Sequence, residues 1–185
     1  MKESPLPADE RPRQEDEQGQ WIARTVQPAL AFAITLVRNR HDAEDIVQEC
    51  YRKLLARSGH YNLPRDGVKL LYKSITNAAI NHVQRRPATR TSDDLGDVAF
   101  PPHAQDGQPP EARLLEQELE SAIEQALAQL PVNQRAVLEL SGLGHSLLDV
   151  AEILNISHGN ARVLLHRARQ SVAAKLKVFR EGEVS

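Results

Sequence analysis

Four acidic side chains and one glutamine cluster in the octapeptide DAEDIVQE, between Asp42 and Glu49. Carboxylates and amides on one side of a helix can make directional bonds to a charged partner, which is binding chemistry and not catalysis. The apolar residues of the segment recur at helical spacing as a separate stripe of Ala43, Ile46, Val47, Cys50 and Leu54. The pattern therefore predicts an amphipathic helix whose polar face consists of Glu44, Asp45, Gln48, Glu49 and Arg52.

Asp42 and Asp45 also have a purely structural interpretation. Asp42 stands where a helix N-cap is expected, and Asp45 follows three residues later in a capping-box position. Acids in a first helical turn interact favourably with the helix dipole. Taken alone, these two residues could serve the helix as well as a partner.

A second polar stripe follows in the apolar-patterned segment that begins at Pro64. Three amide side chains and one arginine lie there at positions i, i+4, i+7 and i+8, namely Asn77, Asn81, Gln84 and Arg85. Amides can bond to base edges, and basic side chains such as Lys73, Arg85 and Arg86 can contact phosphates. The segment is typical of a nucleic-acid-binding helix, although an ordinary solvated face is the alternative. Tyr72 offers either a stacking surface for an unpaired base or a core side chain.

A helix-turn-helix pattern spans His145 to Val172. A short apolar helix ends at Asn155, a residue that tolerates the left-handed conformation of a turn, and Ser157 is suited to cap the next helix. The buried face of that second helix is predicted at Ala161, Leu165, Ala168, Val172 and Leu176. Its opposite face is basic, as expected of a helix that enters the major groove, and carries Arg162, His166, Arg167 and Arg169.

Charge distribution supports a nucleic-acid partner although the net charge is only −2. Residues 61–90 contain several Lys and Arg against the single acid Asp66, and residues 155–180 contain basic residues and no acid. Residues 91–130 are acidic, with Arg113 as their only lysine or arginine. Local patches rather than net charge decide attraction to phosphate.

Enzyme, metal and membrane functions find little support in the sequence. There is no GxGxxG motif and no P-loop, so no cofactor is expected. The single cysteine, Cys50, excludes an internal disulfide, and the seven histidines lack metal-ligand spacing, so no metal is expected. No apolar run approaches the roughly 18 residues of a membrane span, and a cytoplasmic protein without membrane insertion is predicted.

Periodicity predicts an all-α chain of two small helical domains joined by a flexible linker. Residues 1–18 are predicted as a disordered tail and 19–86 as a first domain, with a helix that is interrupted or restarts at Pro28. Residues 87–112 are rich in proline and aspartate and are predicted as the linker. Residues 113–180 form the second domain, with the helix-turn-helix.

The octapeptide resembles conserved region 2 of bacterial sigma factors of the extracytoplasmic-function (ECF) group. The resemblance continues through Leu71–His82, which is similar to the segment of that group that melts promoters and reads the minus-ten element. Further on, Ala126–Arg135 resembles the beginning of region 4, and His166-Arg167-Ala168-Arg169 resembles the end of its recognition helix. The whole resemblance covers roughly residues 21–86 and 114–178.

The resemblance implies a transcription initiation factor that binds core RNA polymerase and promoter DNA. It implies contact with the clamp coiled coil of the β′ subunit through Asp42, Asp45, Gln48, Glu49 and Arg52, and it implies the β subunit as a further partner. Minus-ten contacts are implied for Lys73, Asn77, Asn81, Arg85 and Arg86. Minus-thirty-five contacts are implied for Asn160, Arg162, His166, Arg167 and Arg169. Many members of the group are also held by an anti-sigma protein.

This chain departs from the family pattern at several positions. Leu70 stands where an aromatic residue is usual, Thr76 where an arginine is usual, and Asn81 where an acid is usual. Val163 and Leu164 replace polar or basic residues, and they either touch thymine methyl groups or indicate weaker binding. A stand-alone helix-turn-helix regulator is the alternative function, and the octapeptide argues against it.

Overall fold

The structure is a computed structural model that describes residues 11–85 and 110–182. In these two ranges all regular structure is helical, as predicted. The elements are α1 (Arg11–Val37), α2 (Arg40–Leu55), a single 3-10 turn (Ser58–His60), α3 (Leu63–Arg85), α4 (Pro110–Ala128), α5 (Val132–Gly142), α6 (Leu147–Leu154) and α7 (His158–Gly182).

Helix α1 is longer and more continuous than the sequence predicted. It begins at Arg11, inside the segment predicted as a disordered tail, and Pro12 lies in its first turn, where a missing amide hydrogen costs no intrahelical bond. It also continues through Pro28, where an interruption or restart was expected. Pro28 and Arg24 are both exposed, so water can reach the Arg24 carbonyl that loses its amide partner. Both prolines therefore lie where the helix tolerates them.

Helices α1, α2 and α3 pack together as a three-helix bundle. Its centre combines aliphatic side chains with buried aromatic rings, and Leu36, Leu71 and Ile75 are at most 1% exposed. The indole ring of Trp21 packs against α3 at Gly67, where an added Cβ would lie 3.0 Å from the ring atoms. This close approach favours glycine at position 67. The bundle holds α2 and α3 side by side with polar faces outward.

Helices α4 to α7 form a second bundle that contains the predicted helix-turn-helix. Asn155 ends α6 in the left-handed conformation, with φ 54° and ψ 46°, as its residue type predicted. The Ser157 hydroxyl accepts a hydrogen bond of 3.2 Å from the Asn160 amide and caps α7. Leu140 and Ile153 are buried beneath the turn. The turn residue and the cap therefore end α6 and begin α7 as the sequence predicted.

The two bundles are packed against each other. Helix α5 contacts α1 and α3, and α6 contacts α3, so one hydrophobic core runs through both bundles. The predicted linker, residues 87–112, ends earlier than expected, because helix α4 already begins at Pro110. Residues 87–109 lie outside the described ranges, as does the first part of the predicted tail. The packing of the bundles was not predicted from the sequence.

Candidate partner and nucleic-acid interfaces

The N-cap of α2 is Asn39 and not Asp42. The Asn39 side chain accepts a hydrogen bond of 2.9 Å from the Asp42 amide, and the helix begins at Arg40, two residues before the predicted cap. Asp42 therefore lies within the first turn. Its carboxylate lies 3.3 Å from Nε2 of His82 on α3, an ion pair when the imidazole is protonated, although the contact lacks hydrogen-bond geometry. Asp42 thus faces the neighbouring helix α3 and is half-buried. It does not belong to the exposed polar face of α2.

The other four residues predicted to bind polymerase lie together on the outer face of α2. Asp45, Gln48 and Arg52 are exposed and Glu49 is half-exposed, while the apolar stripe beneath them is buried, as predicted, with Ile46 only partly covered. Arg52 holds both carboxylate oxygens of Glu49 at 2.7 Å, and Lys53 approaches within 3.2 Å. These hydrogen bonds lower the pKa of Glu49 to about 2. The face therefore presents an ionised carboxylate in a pre-set orientation.

The polar stripe of α3 is exposed as predicted. Asn77, Asn81 and Arg85 are exposed, and Lys73 is half-exposed at the start of the stripe. Arg86 lies outside the described residues. Tyr72, for which the sequence left two roles open, is 6% exposed and packs edge-on against Phe32 at a centroid distance of 4.9 Å, so it is a core residue.

Helix α7 places all five predicted minus-thirty-five residues on the solvent side. Ala161 and Ala168 are fully buried between α7 and the rest of its bundle. Val163, one of the departures from the family pattern, is 45% exposed on the recognition helix. The exposed set comprises Asn160, Arg162, His166, Arg167 and Arg169. Their contacts to DNA stay a prediction, since exposure alone does not assign a ligand.

Sequence reasoning missed Arg135, the most extensively bonded side chain between the bundles. It is 6% exposed, and all five of its N–H donors have carbonyl partners. Nη1 donates to Thr35 and Leu36 at the end of α1, at 3.0 Å each. The other donors reach carbonyls at the end of α4 and just after it, namely Leu127 at 2.9 Å, Ala128 at 3.1 Å and Leu130 at 2.8 Å.

Arg135 joins two helix C-termini through one guanidinium. The last carbonyls of a helix lack amide partners and carry partial negative charge, so a planar cation with five donors suits both ends. Burial lowers the pKa of Arg135 to about 10, and the nearby Arg38 adds to the effect. The side chain is still charged at neutral pH. The only local signal was a basic residue three positions after Val132 on an otherwise apolar side of α5.

A second missed contact joins α3 to α6. The Lys69 ammonium forms ion pairs with Asp149 and, at 3.3 Å, with Glu152. The hydrogen bond from Lys69, helped by Ser146, lowers the pKa of Asp149 to about 2. Beside these charges the ring of His145 packs edge-on against Tyr72 at 5.3 Å.

Protonation of His145 should weaken the contact between the bundles. Burial lowers the pKa of His145, an effect that Asp149 opposes and Lys69 reinforces. The folded chain therefore binds this proton less tightly than the unfolded chain, so the stability contribution is complete above about pH 6.5 and is lost as the pH falls below that value. We expect urea unfolding at about pH 7.5 and about pH 5.5 to differ more in the wild type than in His145→Gln. Equal differences would contradict this role.

Within the described ranges, no group of three or more His, Cys, Asp and Glu side chains could hold a metal ion. Cys50 is buried, and burial raises the pKa of its thiol to about 11, which makes it a poor nucleophile. None of the described helices is long and apolar enough to cross a membrane.

Two segments of the chain match known protein families. Residues 21–89 match the family described as Sigma-70 region 2, and residues 120–172 match the family described as Sigma-70, region 4. The chain is 27% identical over 148 residues to the ECF RNA polymerase sigma factor SigW of Bacillus subtilis (strain 168), covering 77% of this chain and 79% of that protein. It is 28% identical over 158 residues to the RNA polymerase sigma-H factor of Pseudomonas aeruginosa, covering 80% of each.

Two solved structures share this fold. The first is the sigma factor RpoE in complex with the anti-sigma factor NepR from Bartonella quintana, with a TM-score of 0.67 and 26% identity, covering 86% of this chain and 96% of that chain. The second is CnrH in complex with the cytosolic domain of CnrY, with a TM-score of 0.61 and 19% identity, covering 89% of this chain and 90% of that chain. The second likeness concerns the fold alone.

Proposed function

The chain belongs to the ECF group of bacterial sigma factors, and we propose that it uses three exposed helix faces, one to bind polymerase and two to bind DNA. As a transcription initiation factor, it binds core RNA polymerase and directs it to promoters. The outer face of α2 is the proposed polymerase surface, and the polar faces of α3 and α7 are the proposed DNA readers. One observation carries this division: each face is exposed or half-exposed, while the apolar stripe of the same helix is buried or partly buried.

The proposed polymerase surface consists of Asp45, Gln48, Glu49 and Arg52. An acidic, hydrogen-bonding face of this kind suits a charged coiled coil such as the clamp of the β′ subunit. Asp42 has a different proposed role, because it lies against His82 and can align α2 with the DNA-reading helix α3. A contact to the β subunit is proposed only from the family resemblance.

Reversing the charge of the α2 face should abolish polymerase binding without unfolding the protein. The variant Asp45→Lys with Glu49→Lys changes two side chains outside the buried stripe, so the bundle should stay folded. Rim charges of this kind govern association and specificity. We expect loss of core-polymerase capture and of run-off transcription, with an unchanged circular dichroism spectrum.

Glu118→Lys with Glu120→Lys is the matched control for that experiment. Both glutamates are exposed on α4, and the variant makes the same change in net charge away from α2. The control should retain capture and transcription. Full activity of the folded α2 variant would disprove the assignment of this surface.

Two stripes of DNA-binding residues complete the proposal. Lys73, Asn77, Asn81, Arg85 and Arg86 would contact the minus-ten element, and Asn160, Arg162, His166, Arg167 and Arg169 the minus-thirty-five element. Amides and arginines supply base-edge contacts, while lysines and the remaining arginines supply phosphate contacts. With Tyr72 buried, base stacking on α3 would have to use other side chains.

A stand-alone helix-turn-helix regulator is not favoured. Such a protein would need only α5 to α7. The first three helices match Sigma-70 region 2, and a stand-alone regulator would not need the acidic face that they carry. An anti-sigma protein is a further proposed partner, by analogy with the RpoE–NepR complex. The proposed location is the cytoplasm, where a bacterial polymerase meets DNA.

A further inference from the structure

Lys69 extends the polar stripe of α3 by one helical turn beyond Lys73, at the N-terminal end of the stripe. It lies four residues before Lys73, a spacing that places two side chains on neighbouring positions of a helix surface. Its side chain is 43% exposed, and the ammonium contacts the carboxylates of Asp149 and Glu152 on α6. A cation that continues a DNA-binding stripe is therefore covered by two anions from the other bundle.

The packed arrangement of the bundles is too small to engage both promoter elements at once. Minus-ten and minus-thirty-five elements lie about 25 base pairs apart, which is about 85 Å at about 3.4 Å per base pair. A compact chain of this length has a radius of gyration of about 16 Å. Because α3 and α7 must reach elements that far apart, α6 must leave α3, and Lys69 then loses both carboxylate partners.

We propose that Lys69 is a further contact of the chain to the DNA backbone, and that in the packed arrangement Asp149 and Glu152 occupy it in place of phosphate groups. The inference rests on the proposed DNA-reading role of α3. In this state α6 acts as an internal competitor: the chain masks part of its own DNA-binding face until the bundles separate.

The chemistry of the contact allows this exchange. Carboxylates and phosphates both accept hydrogen bonds from an ammonium group, so no proton has to move when one replaces the other. The hydrogen bonds that Lys69 donates to Asp149 and Glu152 raise its pKa, which keeps it charged in the packed state. The three side chains are partly exposed, and ion pairs of that kind are weak enough to be displaced.

A cycle of variants measured on DNA tests the proposal. The variants are Lys69→Gln, the acid pair Asp149→Asn with Glu152→Gln, and all three changes together, each in the full chain. Asparagine at Asp149 retains the backbone amide that Ser146 caps. The probe is a fluorescein-labelled duplex of mixed sequence, about 30 base pairs or about three helical turns long. Anisotropy titrations at about 50 mM and about 200 mM salt give both affinity and salt dependence.

We expect the acid pair to tighten DNA binding by about three- to tenfold. This gain should vanish when Lys69→Gln is added, and Lys69→Gln should lower the salt slope of the acid-pair variant by about one. Glu118→Gln with Glu120→Gln on α4 makes the same change in net charge and should give a smaller gain that survives Lys69→Gln. Circular dichroism verifies folding of every variant.

Two results would overturn the proposal. One is no gain from the acid pair, and the other is an equal gain with and without Lys69, which would indicate a general charge effect. Arg85→Gln separates this failure from failure of the proposed function. Weaker DNA binding in Arg85→Gln together with an uncoupled cycle would retain the α3 DNA face and reject the masking of Lys69. No effect of Arg85→Gln would count against that face itself.

Discussion

Replacing Arg135 by methionine should lower the free energy of unfolding by about 3 kcal/mol or more. Methionine retains much of the volume of the side chain but none of its five donors. Carbonyls at the ends of α1 and α4 would then lose their partner, among them those of Leu36 and Leu130. Each buried polar group left unpaired costs about 1–3 kcal/mol, and several are lost together. This is the largest stability effect that we expect from any single side chain between the bundles.

In the Arg135→Met variant, the urea transitions followed by tryptophan fluorescence and by circular dichroism should no longer coincide. Trp21 is buried in the first bundle and reports its unfolding by fluorescence, whereas circular dichroism reports all helices. In the wild type both urea transitions should coincide, because one core runs through the two bundles. Without Arg135 the second bundle should unfold at lower urea concentration than the first.

Two controls sharpen the Arg135 experiment. Arg24→Met removes an exposed arginine from α1 and should change stability by less than about 0.5 kcal/mol. Arg135→Lys keeps a positive charge but offers three donors from one nitrogen, so it should recover only part of the loss. Stability of Arg135→Met equal to that of the wild type would show that the guanidinium contributes no net stability.

Replacing Arg162 by alanine should cost about 1–3 kcal/mol of binding free energy at the preferred minus-thirty-five element. Arg162 is exposed in the first turns of α7 and can bond to a guanine edge with two parallel hydrogen bonds. Loss of such a contact should relax base preference at one position. Binding to duplexes that carry every single-base change in the element measures the effect.

Lys175 provides the contrast, since it is exposed more than three turns further along α7. Lys175→Ala should weaken binding to all sequences slightly and equally, with a smaller salt dependence, because a lysine there can reach only the backbone. A uniform loss across the panel for Arg162→Ala would instead make Arg162 a phosphate contact. Base recognition would then fall to His166 and Arg167.

Local patterns in the sequence predicted the helices and their exposed faces. The apolar stripe of α2 and the alanines of α7 are buried as helical spacing requires, because a period of 3.6 residues separates a core face from a solvent face in any packing. Asn155 and Ser157 likewise act through their own backbone neighbours. The N-cap of α2 was misplaced because Asn39 and Asp42 are both good caps, and only the path of the chain after α1 selects between them.

Contacts between distant parts of the chain were not predictable in this way. Arg135 bonds to the Thr35 carbonyl 100 residues away, and Lys69 meets Glu152 at a separation of 83 residues. No local periodicity encodes such pairs, since they depend on how α5 and α6 lie against α1 and α3. The two roles open to Tyr72 were likewise decided only when Phe32 and His145 closed over its ring. The sequence by itself determined the helices and their exposed faces. Tertiary packing decided which charged side chains bond to other parts of the chain and so are not available to partners.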